Sequence, residues 1–219
     1  MVLPPWRARV LAIVVAHGDC DPPLRLHEWQ ARADLVFAAD GGACHALALG
    51  LRPHLVIGDM DSLAPETRAE LARLGASVEQ HASDKDETDL ELAVRAALER
   101  GASEVVILCA LGGRADHLLA NVMLLAAPQL EGRALLASGD TEISLVTKEL
   151  ALSGRPGDLL SLLPLGGDVS GIWTEGLAYP LRGETLSCGL ARGVSNVFLG
   201  ERATVRVASG RLLATHIRC

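Results

Sequence analysis

The sequence predicts an α/β fold built on a parallel sheet, followed by a small all-β sandwich. Two observations carry that expectation. In the first two thirds, short continuous apolar runs alternate with segments of helical period, the pattern of strands buried on both faces and joined by crossover helices. Beyond about Asp140 the helical period disappears, and glycine and proline punctuate short strand-like runs every few residues.

The first expected strand covers residues 10–16. This apolar run follows Arg7 and Arg9 but leads into His17-Gly18-Asp19-Cys20-Asp21, not into a small-residue cleavage site, so it reads as a buried strand and not a secretory signal. Strands are expected next at 35–39, 55–57, 78–80, 104–110 and 134–137. Helices fall between them. Residues 43–49 end at Gly50, a natural position after a helix C-terminus. The helix at 65–74 has Pro65 in its first turn and Gly75 after its last. The helix at 88–100 opens with a Thr88/Glu91 capping box, stops at Gly101, and carries an apolar stripe of Leu90, Ala93, Val94, Ala97 and Leu98. The last spans 116–127, just before Pro128. Strands alternating with helices in this way form right-handed βαβ units. The later strands are expected at 142–146, 159–163, 176–180, 194–198, 204–208 and 211–216, which divides the chain into domains at 1–145 and 146–219.

Composition narrows the function classes. The chain has 219 residues and a net charge of −7, with its basic residues scattered and not striped, which argues against a nucleic-acid footprint. No apolar stretch reaches the length of a membrane span. The five cysteines (Cys20, Cys44, Cys109, Cys188, Cys219) form no CxxC pair, so neither a disulfide framework nor a zinc site is expected, and a reducing cytoplasm is the expected compartment.

Four acidic clusters stand at the ends of expected strands: Ala39-Asp40-Gly41-Gly42, Gly58-Asp59-Met60-Asp61-Ser62, Asp84-Lys85-Asp86-Glu87-Thr88-Asp89, and Gly112-Gly113-Arg114-Ala115-Asp116-His117. In an open parallel sheet, ligands bind beyond the carboxyl ends of the strands. So many carboxylates around one crevice repel one another unless a cation is expected there. Mg²⁺ suits them, because it takes one or two protein carboxylates together with substrate phosphates. Each cluster has an ordinary structural reading as well. Asp, Ser and Gly form turns, and acidic residues cap helices. The Asp84–Asp89 turn nevertheless carries more acid than a cap requires. Gly112-Gly113-Arg114 opens a helix after the strongest strand, offering backbone N–H groups and a bidentate guanidinium to a phosphate. Walker A and GxGxxG fingerprints are absent. His17, His54 and His117 lie near the same edge without metal-ligand spacing and read as structural.

These four clusters, in this order and spacing, resemble the thiamine pyrophosphokinase family. The resemblance extends through Gly176-Leu177-Ala178-Tyr179-Pro180-Leu181 and Gly193-Val194-Ser195-Asn196, with Val197 where the family commonly has an acidic or polar residue, and Cys188 in the preceding loop. It implies a Rossmann-like nucleotide-binding domain followed by a β-sandwich thiamine-binding domain. It also implies a homodimer whose sites lie between the α/β domain of one subunit and the β domain of the other. The activity implied is transfer of the pyrophosphoryl group of ATP to the thiamine hydroxyl, with Mg²⁺ as cofactor. Metal binding is expected of Asp59, Asp61, Asp84, Asp86 and Asp89, and catalysis of Asp59, Asp61, Asp86, Asp89 and Arg114. ATP is expected at Asp40, Gly41, Gly42, Lys85, Gly112, Gly113, Arg114, Asp116 and His117. Thiamine is expected at Trp173, Tyr179, Ser195 and Asn196, the two aromatics suiting its cationic ring. Two rivals stay open: a related diphosphokinase acting on another hydroxymethyl substrate, such as a hydroxymethylpterin, and a non-catalytic nucleotide sensor.

Overall fold

The computed structural model of the protein describes residues 9–219. The chain divides into two compact units. One holds the described residues up to Leu124 together with Leu136–Gly139, and the other holds Leu125–Leu135 and Asp140–Cys219.

The first unit is built from β1 (Leu11–Val15), α1 (Leu26–Arg32), β2 (Leu35–Ala39), α2 (Gly42–Ala48), β3 (Leu55–Gly58), α3 (Pro65–Arg73), β4 (Ser77–Gln80), α4 (Asp89–Glu99), β5 (Glu104–Leu108), α5 (Ala115–Leu124) and the end of β6 (Ala134–Ser138). Strand order is β6-β5-β1-β2-β3-β4. The β5-β1, β1-β2, β2-β3 and β3-β4 pairs are all parallel, as crossover helices require. Central β1 has every residue buried, which is why its sequence, Leu-Ala-Ile-Val-Val, is continuous and not alternating. Helix α4 packs against β1, β2 and β3, and its capping box is formed: Glu91 N–H donates to Thr88 Oγ1 and Thr88 N–H to Glu91 Oε2.

Two features of this unit depart from the sequence reading. Helix α1 lies where no helix is expected. It is seven residues long and has no side-chain cap; burial of Leu26 and Trp29 holds it, and the Arg25 guanidinium sits 5.2 Å from the Trp29 ring. Helix α5 ends at Leu124, short of the expected 127, and a 3-10 turn at Pro128–Leu130 follows. No helix among the described residues is long and apolar enough to cross a membrane.

The second unit is all-β after its leading 3-10 turn. It comprises β7 (Thr141–Val146), β8 (Glu149–Ser153), β9 (Leu159–Pro164), β10 (Val169–Glu175), β11 (Arg182–Leu186), β12 (Asn196–Val197), β13 (Arg202–Arg206) and β14 (Leu212–Ile217). The strands run β12-β9-β14-β7 on one face and β11-β10-β13-β8 on the other, every pair antiparallel. Leu160, Leu162, Leu212 and Ala214 of the first face meet Ile172, Ala203 and Val205 of the second in one apolar core. The fold class is therefore the expected one. The individual strands differ: β8, β10 and β11 were not anticipated, and residues 176–180 are not a strand. Gly176 sits at φ +78°, its α-carbon pressed so close to the Arg202 carbonyl that no side chain fits, and only Leu177 bridges to Phe198.

A polar pair is buried in this core. His216 and Asp158 are each 1 % exposed, with Nε2 of the imidazole 3.1 Å from the Asp158 carboxylate. That carboxylate also accepts the N–H groups of Arg155 and Cys219. His216 stacks on Phe198 with ring centroids 4.8 Å apart, and its Nδ1 has no partner. Burial lowers the His216 pKa, so the ring is neutral and donates its Nε2 proton to the carboxylate. The Asp158 pKa lies below its usual value: burial works to raise it, but the N–H groups of Cys219 and Arg155 and the His216 ring outweigh that.

Both shifts act in the same direction on stability. Below about pH 6.5, the ordinary histidine pKa, the unfolded chain takes up a proton at His216 before the folded chain does. The Asp158 contribution is lost as pH falls through its lowered folded pKa. Urea midpoints should therefore fall between about pH 7 and pH 5, and His216→Gln should flatten that slope. An identical slope in the variant would remove His216 from this role.

Candidate active site

The carboxyl ends of β1, β2, β3 and β5 open onto one cleft of about 670 Å³. The loop after β1 supplies His17, Gly18 and Asp19, and the turn after β2 supplies Asp40. Asp59, Asp61 and Ser62 follow β3, Thr88 and Asp89 come from the start of α4, and Gly112, Gly113 and Arg114 follow β5. Sheet topology alone places these strand ends together. Several of the turns need unusual backbone. Asp40 (φ +43°), Met60 (φ +67°) and Cys109 (φ +54°) are non-glycine residues in left-handed conformation, a strain that clusters at functional sites. Gly58 lets Asp40 approach, since a Cβ there would stand 2.7 Å from the Asp40 Cβ.

Asp40, Asp59 and Asp89 bring one carboxylate oxygen each within 4.8 Å of one another. Asp40 is buried and its Oδ1 has no hydrogen-bond partner, an arrangement that suits a hard divalent cation. Asp59 is held ionised. Its pKa is lowered first by the N–H of Asp61, at 3.2 Å from Oδ1, and then by the Ser83 hydroxyl, at 2.8 Å from Oδ2. Lys85 lies 2.9 Å from Asp89 and donates to the Ala82 carbonyl, so it compensates the acidic turn and does not line the cleft. Asp61 lines the cleft, outside the three-carboxylate cluster, and accepts from the Ser62 hydroxyl. Asp84 and Asp86 are exposed and do not line it.

On the opposite wall, Gly112 and Gly113 have φ values of +90° and +70°, conformations that favour glycine. The Gly113 N–H donates to the Asp19 carboxylate at 2.8 Å. Arg114 grips Asp116 through Nε and Nη2 at 3.2 and 2.6 Å, and this bond first, then the His117 N–H, holds the Asp116 pKa down at about 2. Gly41 and Gly42 are buried and do not line the cleft. The His17 ring fills the space beside Gly41, and the Val15 carbonyl that beside Gly42.

His17 and His117 line the cleft, whereas His54 is structural, its Nδ1 accepting the Val36 N–H at 3.0 Å. Sequence reasoning missed His45, whose ring lies 5.5 Å from that of His17 and whose pKa is lowered by burial and then by His17. It missed Asn121 too, which donates to the Ala110 carbonyl at 2.9 Å and lies one helical turn beyond His117, a spacing that was available in the sequence. Cys20 and Cys109 are disulfide-bonded, contrary to the expectation of free thiols; the sequence separation of 89 gave no hint that two strand ends would meet.

In the second unit a smaller cavity of about 180 Å³ is lined by Leu162, Tyr179, Pro180, Leu181, Arg192, Gly193, Val194 and Asn196. Tyr179 is 71 % exposed. Asn196 is a clamp: Oδ1 accepts the N–H groups of Tyr179 and Val197, and Nδ2 donates to the Tyr179 carbonyl at 2.7 Å. Ser195 is exposed at φ +59°, its N–H donating to Ser161 Oγ, and it does not line this cavity. Trp173, half-exposed on β10, lies outside it, its ring against Gly183.

Comparison with known proteins gives two family matches. Residues 26–135 match the thiamin pyrophosphokinase catalytic domain, and residues 145–212 match the thiamin pyrophosphokinase vitamin B1 binding domain. Thiamine pyrophosphokinase of Bacillus subtilis is 28 % identical over 82 % of this chain and 85 % of its own length. Thiamine pyrophosphokinase 1 of Oryza sativa subsp. japonica is 30 % identical over 81 % of this chain and 76 % of its own. A solved structure of the Bacillus subtilis enzyme superimposes with a TM-score of 0.84 at 26 % identity, covering 96 % of this chain and 99 % of that one.

Asp40, Asp59 and Asp89 bring carboxylate oxygens close enough to share one ion, whereas Asp84 and Asp86 do not line the cleft. Asp40→Asn, Asp59→Asn and Asp89→Asn should each weaken Mn²⁺ binding about tenfold or more, with melting temperature unchanged or raised because repulsion is relieved. Asp84→Asn and Asp86→Asn should bind the ion like wild type. Metal titration with parallel thermal melts reads both effects, and a loss of affinity in Asp84→Asn equal to that in Asp89→Asn would refute the assignment.

Proposed function

This chain belongs to the thiamin pyrophosphokinase family, and on that premise we propose that it transfers the pyrophosphoryl group of ATP to the hydroxyl of thiamine, giving thiamine diphosphate and AMP. The observation that carries this reading is the meeting, in one cleft, of the Asp40, Asp59 and Asp89 carboxylates with the Gly112-Gly113-Arg114 turn. A polyphosphate between them has anion donors on one side and acid on the other, a pairing that calls for a bridging cation. The match of residues 145–212 to a vitamin B1 binding domain favours thiamine over a pterin and an enzyme over a sensor.

Asp40, Asp59 and Asp89 would hold Mg²⁺. The ion neutralises the charge of the ATP phosphates when bound. Asp59, kept ionised by its two hydrogen bonds, is suited to ligation and not to taking a proton. The Gly113 N–H orients a phosphate oxygen, and the Arg114 fork turns from Asp116 to grip two more. Thiamine is assigned to the second unit, where Tyr179 offers an exposed aromatic face to a cationic ring and Asn196 sets the position of that tyrosine. Trp173 and Ser195, which lie outside this cavity, contribute less. The use of ATP supports a cytoplasmic location.

AMP should form from ATP only when thiamine is present. Arg114→Lys should raise the KM for ATP about tenfold and leave that for thiamine unchanged, because lysine lacks the planar fork. AMP release independent of thiamine would refute the reaction, and a shift in the thiamine KM would place Arg114 on the other substrate.

Each half of the site lies within one unit, so its two halves can come from different copies. We assign the enzyme as a homodimer with sites shared between subunits. Asp89→Asn and Asn196→Ala, each inactive alone, should then complement after mixing. Random exchange makes half the dimers hybrid with one intact site each, so activity should recover to roughly a quarter of wild type in a two-fold dimer. Demonstrated exchange without recovery would mean that each site is built from one chain.

A further inference from the structure

The proposed reaction leaves the Cys20–Cys109 pair unused. Cys109 follows β5 and is buried, while Cys20 lies in the loop after β1 and is half-exposed. Their bond ties together the two loops that wall the phosphate side of the cleft. Two further contacts join the same loops: the Gly18 N–H donates to the Cys109 carbonyl at 2.8 Å, and the Gly113 N–H donates to the carboxylate of Asp19, the residue next to Cys20. The Asp19 carboxylate also fills the space beside Gly112, where a Cβ would come within 2.6 Å of its oxygen. A carboxylate therefore stands on the Gly113 N–H that the turn would offer to a phosphate, with a covalent bond one residue away.

We propose that Cys20–Cys109 is a redox-cleavable site that latches Asp19 over the Gly112-Gly113 turn and so weakens the cleft's hold on a nucleotide phosphate. The inference rests on the ATP reading above. Disulfides in reducing compartments are usually transient or redox-sensing, which suits this placement. A small dithiol opens the latch. One of its thiolates attacks the half-exposed Cys20 sulfur, the S–S bond breaks, and Cys109 leaves as a thiolate and takes up a proton. The second thiol then displaces Cys20, leaving two protein thiols and one cyclic, oxidised reductant. A hydroperoxide closes it. The Cys20 thiolate takes one peroxide oxygen to become a sulfenic acid, and Cys109 displaces that oxygen as water. With the bond open, the His17–Asp21 loop swings off the turn and the Gly113 N–H becomes free for the nucleotide.

The test begins with thiol counts in denaturant without reductant. Three thiols per chain are expected before dithiothreitol and five after it, since Cys44, Cys188 and Cys219 are free. Five before reduction would overturn the latch. The KM for ATP should fall about tenfold on reduction, the scale of one hydrogen bond to a charged group, and return on treatment with hydrogen peroxide. Cys20→Ser should show the low KM in both conditions. Equal KM values in oxidised and reduced wild type would overturn the proposal even if the variant fails to fold. If neither form makes AMP, the reaction reading fails instead. Calorimetric binding of ATP to the same two preparations then decides the latch, tighter binding by the reduced form supporting it and equal binding overturning it.

Discussion

Three carboxylates within 4.8 Å of one another are a source of repulsion that the first unit must both create and contain. Creating it uses the parallel sheet, which delivers the turn after every strand to one edge. It also takes left-handed backbone at Asp40 and Met60, and a glycine at 58 to let Asp40 in. Containment is uneven. Asp59 has the Ser83 hydroxyl and the Asp61 N–H, and Asp89 has Lys85. Asp40, the most buried of the three, has an oxygen with no partner at all. A buried acceptor left unpaired costs free energy that an apolar replacement would avoid, so its presence argues for a ligand that completes it. The protein has stopped short of neutralising its own site, and that shortfall is what the proposed cation would fill.

The architecture was legible because its physics is local. Short continuous apolar runs bounded by turn residues fit strands buried on both faces, and caps such as Thr88/Glu91 mark helices without reference to tertiary structure. Helix α1 was not legible, because its short sequence lacks a cap and Trp29 burial supplies what propensity does not. In the second unit β8 was missed although its exposed and half-buried residues alternate as in a half-buried strand, while β10 is interrupted at Gly171 (φ +63°), which breaks its pattern. Site residues followed the same rule. Position after a strand identified Asp40, Asp59, Asp61 and Arg114 as residues of the strand-end edge. Nothing local distinguishes Asp89, which lines the cleft, from Asp84 and Asp86, which do not. Helix α4 decides it by fixing where its first residue stands.

The second unit positions its cavity by a different means. Asn196 spends three hydrogen bonds on backbone, and Phe198 is stacked on His216, which in turn is bound to Asp158. The 193–198 segment is thus anchored at its far end by a buried polar pair and at its middle by an amide clamp. Loops fixed in this way present side chains such as Tyr179 without needing regular structure. The low helix content and glycine-rich texture of this region are consistent with a rigid loop scaffold.

Two Gly-Gly turns that look alike in sequence have opposite roles, and backbone geometry decides between them. Gly41, at φ −56° and ψ −14°, already belongs to the helix it precedes, and both it and Gly42 have the space beside them filled by the His17 ring and the Val15 carbonyl. Glycine is required there because nothing larger packs. Gly112 and Gly113 have positive φ, and a Cβ at Gly113 would meet nothing nearer than 3.8 Å. Packing does not demand glycine at Gly113. The demand comes from a positive φ that turns the Gly113 N–H onto the Asp19 carboxylate at 2.8 Å. At Gly112 packing excludes a side chain as well, since a Cβ there would meet the Asp19 carboxylate at 2.6 Å, so in packing the two turns differ only at Gly113. The Gly112-Gly113-Arg114 turn is thus the one that lines the cleft, while Gly41-Gly42 packs helix against sheet next to Asp40.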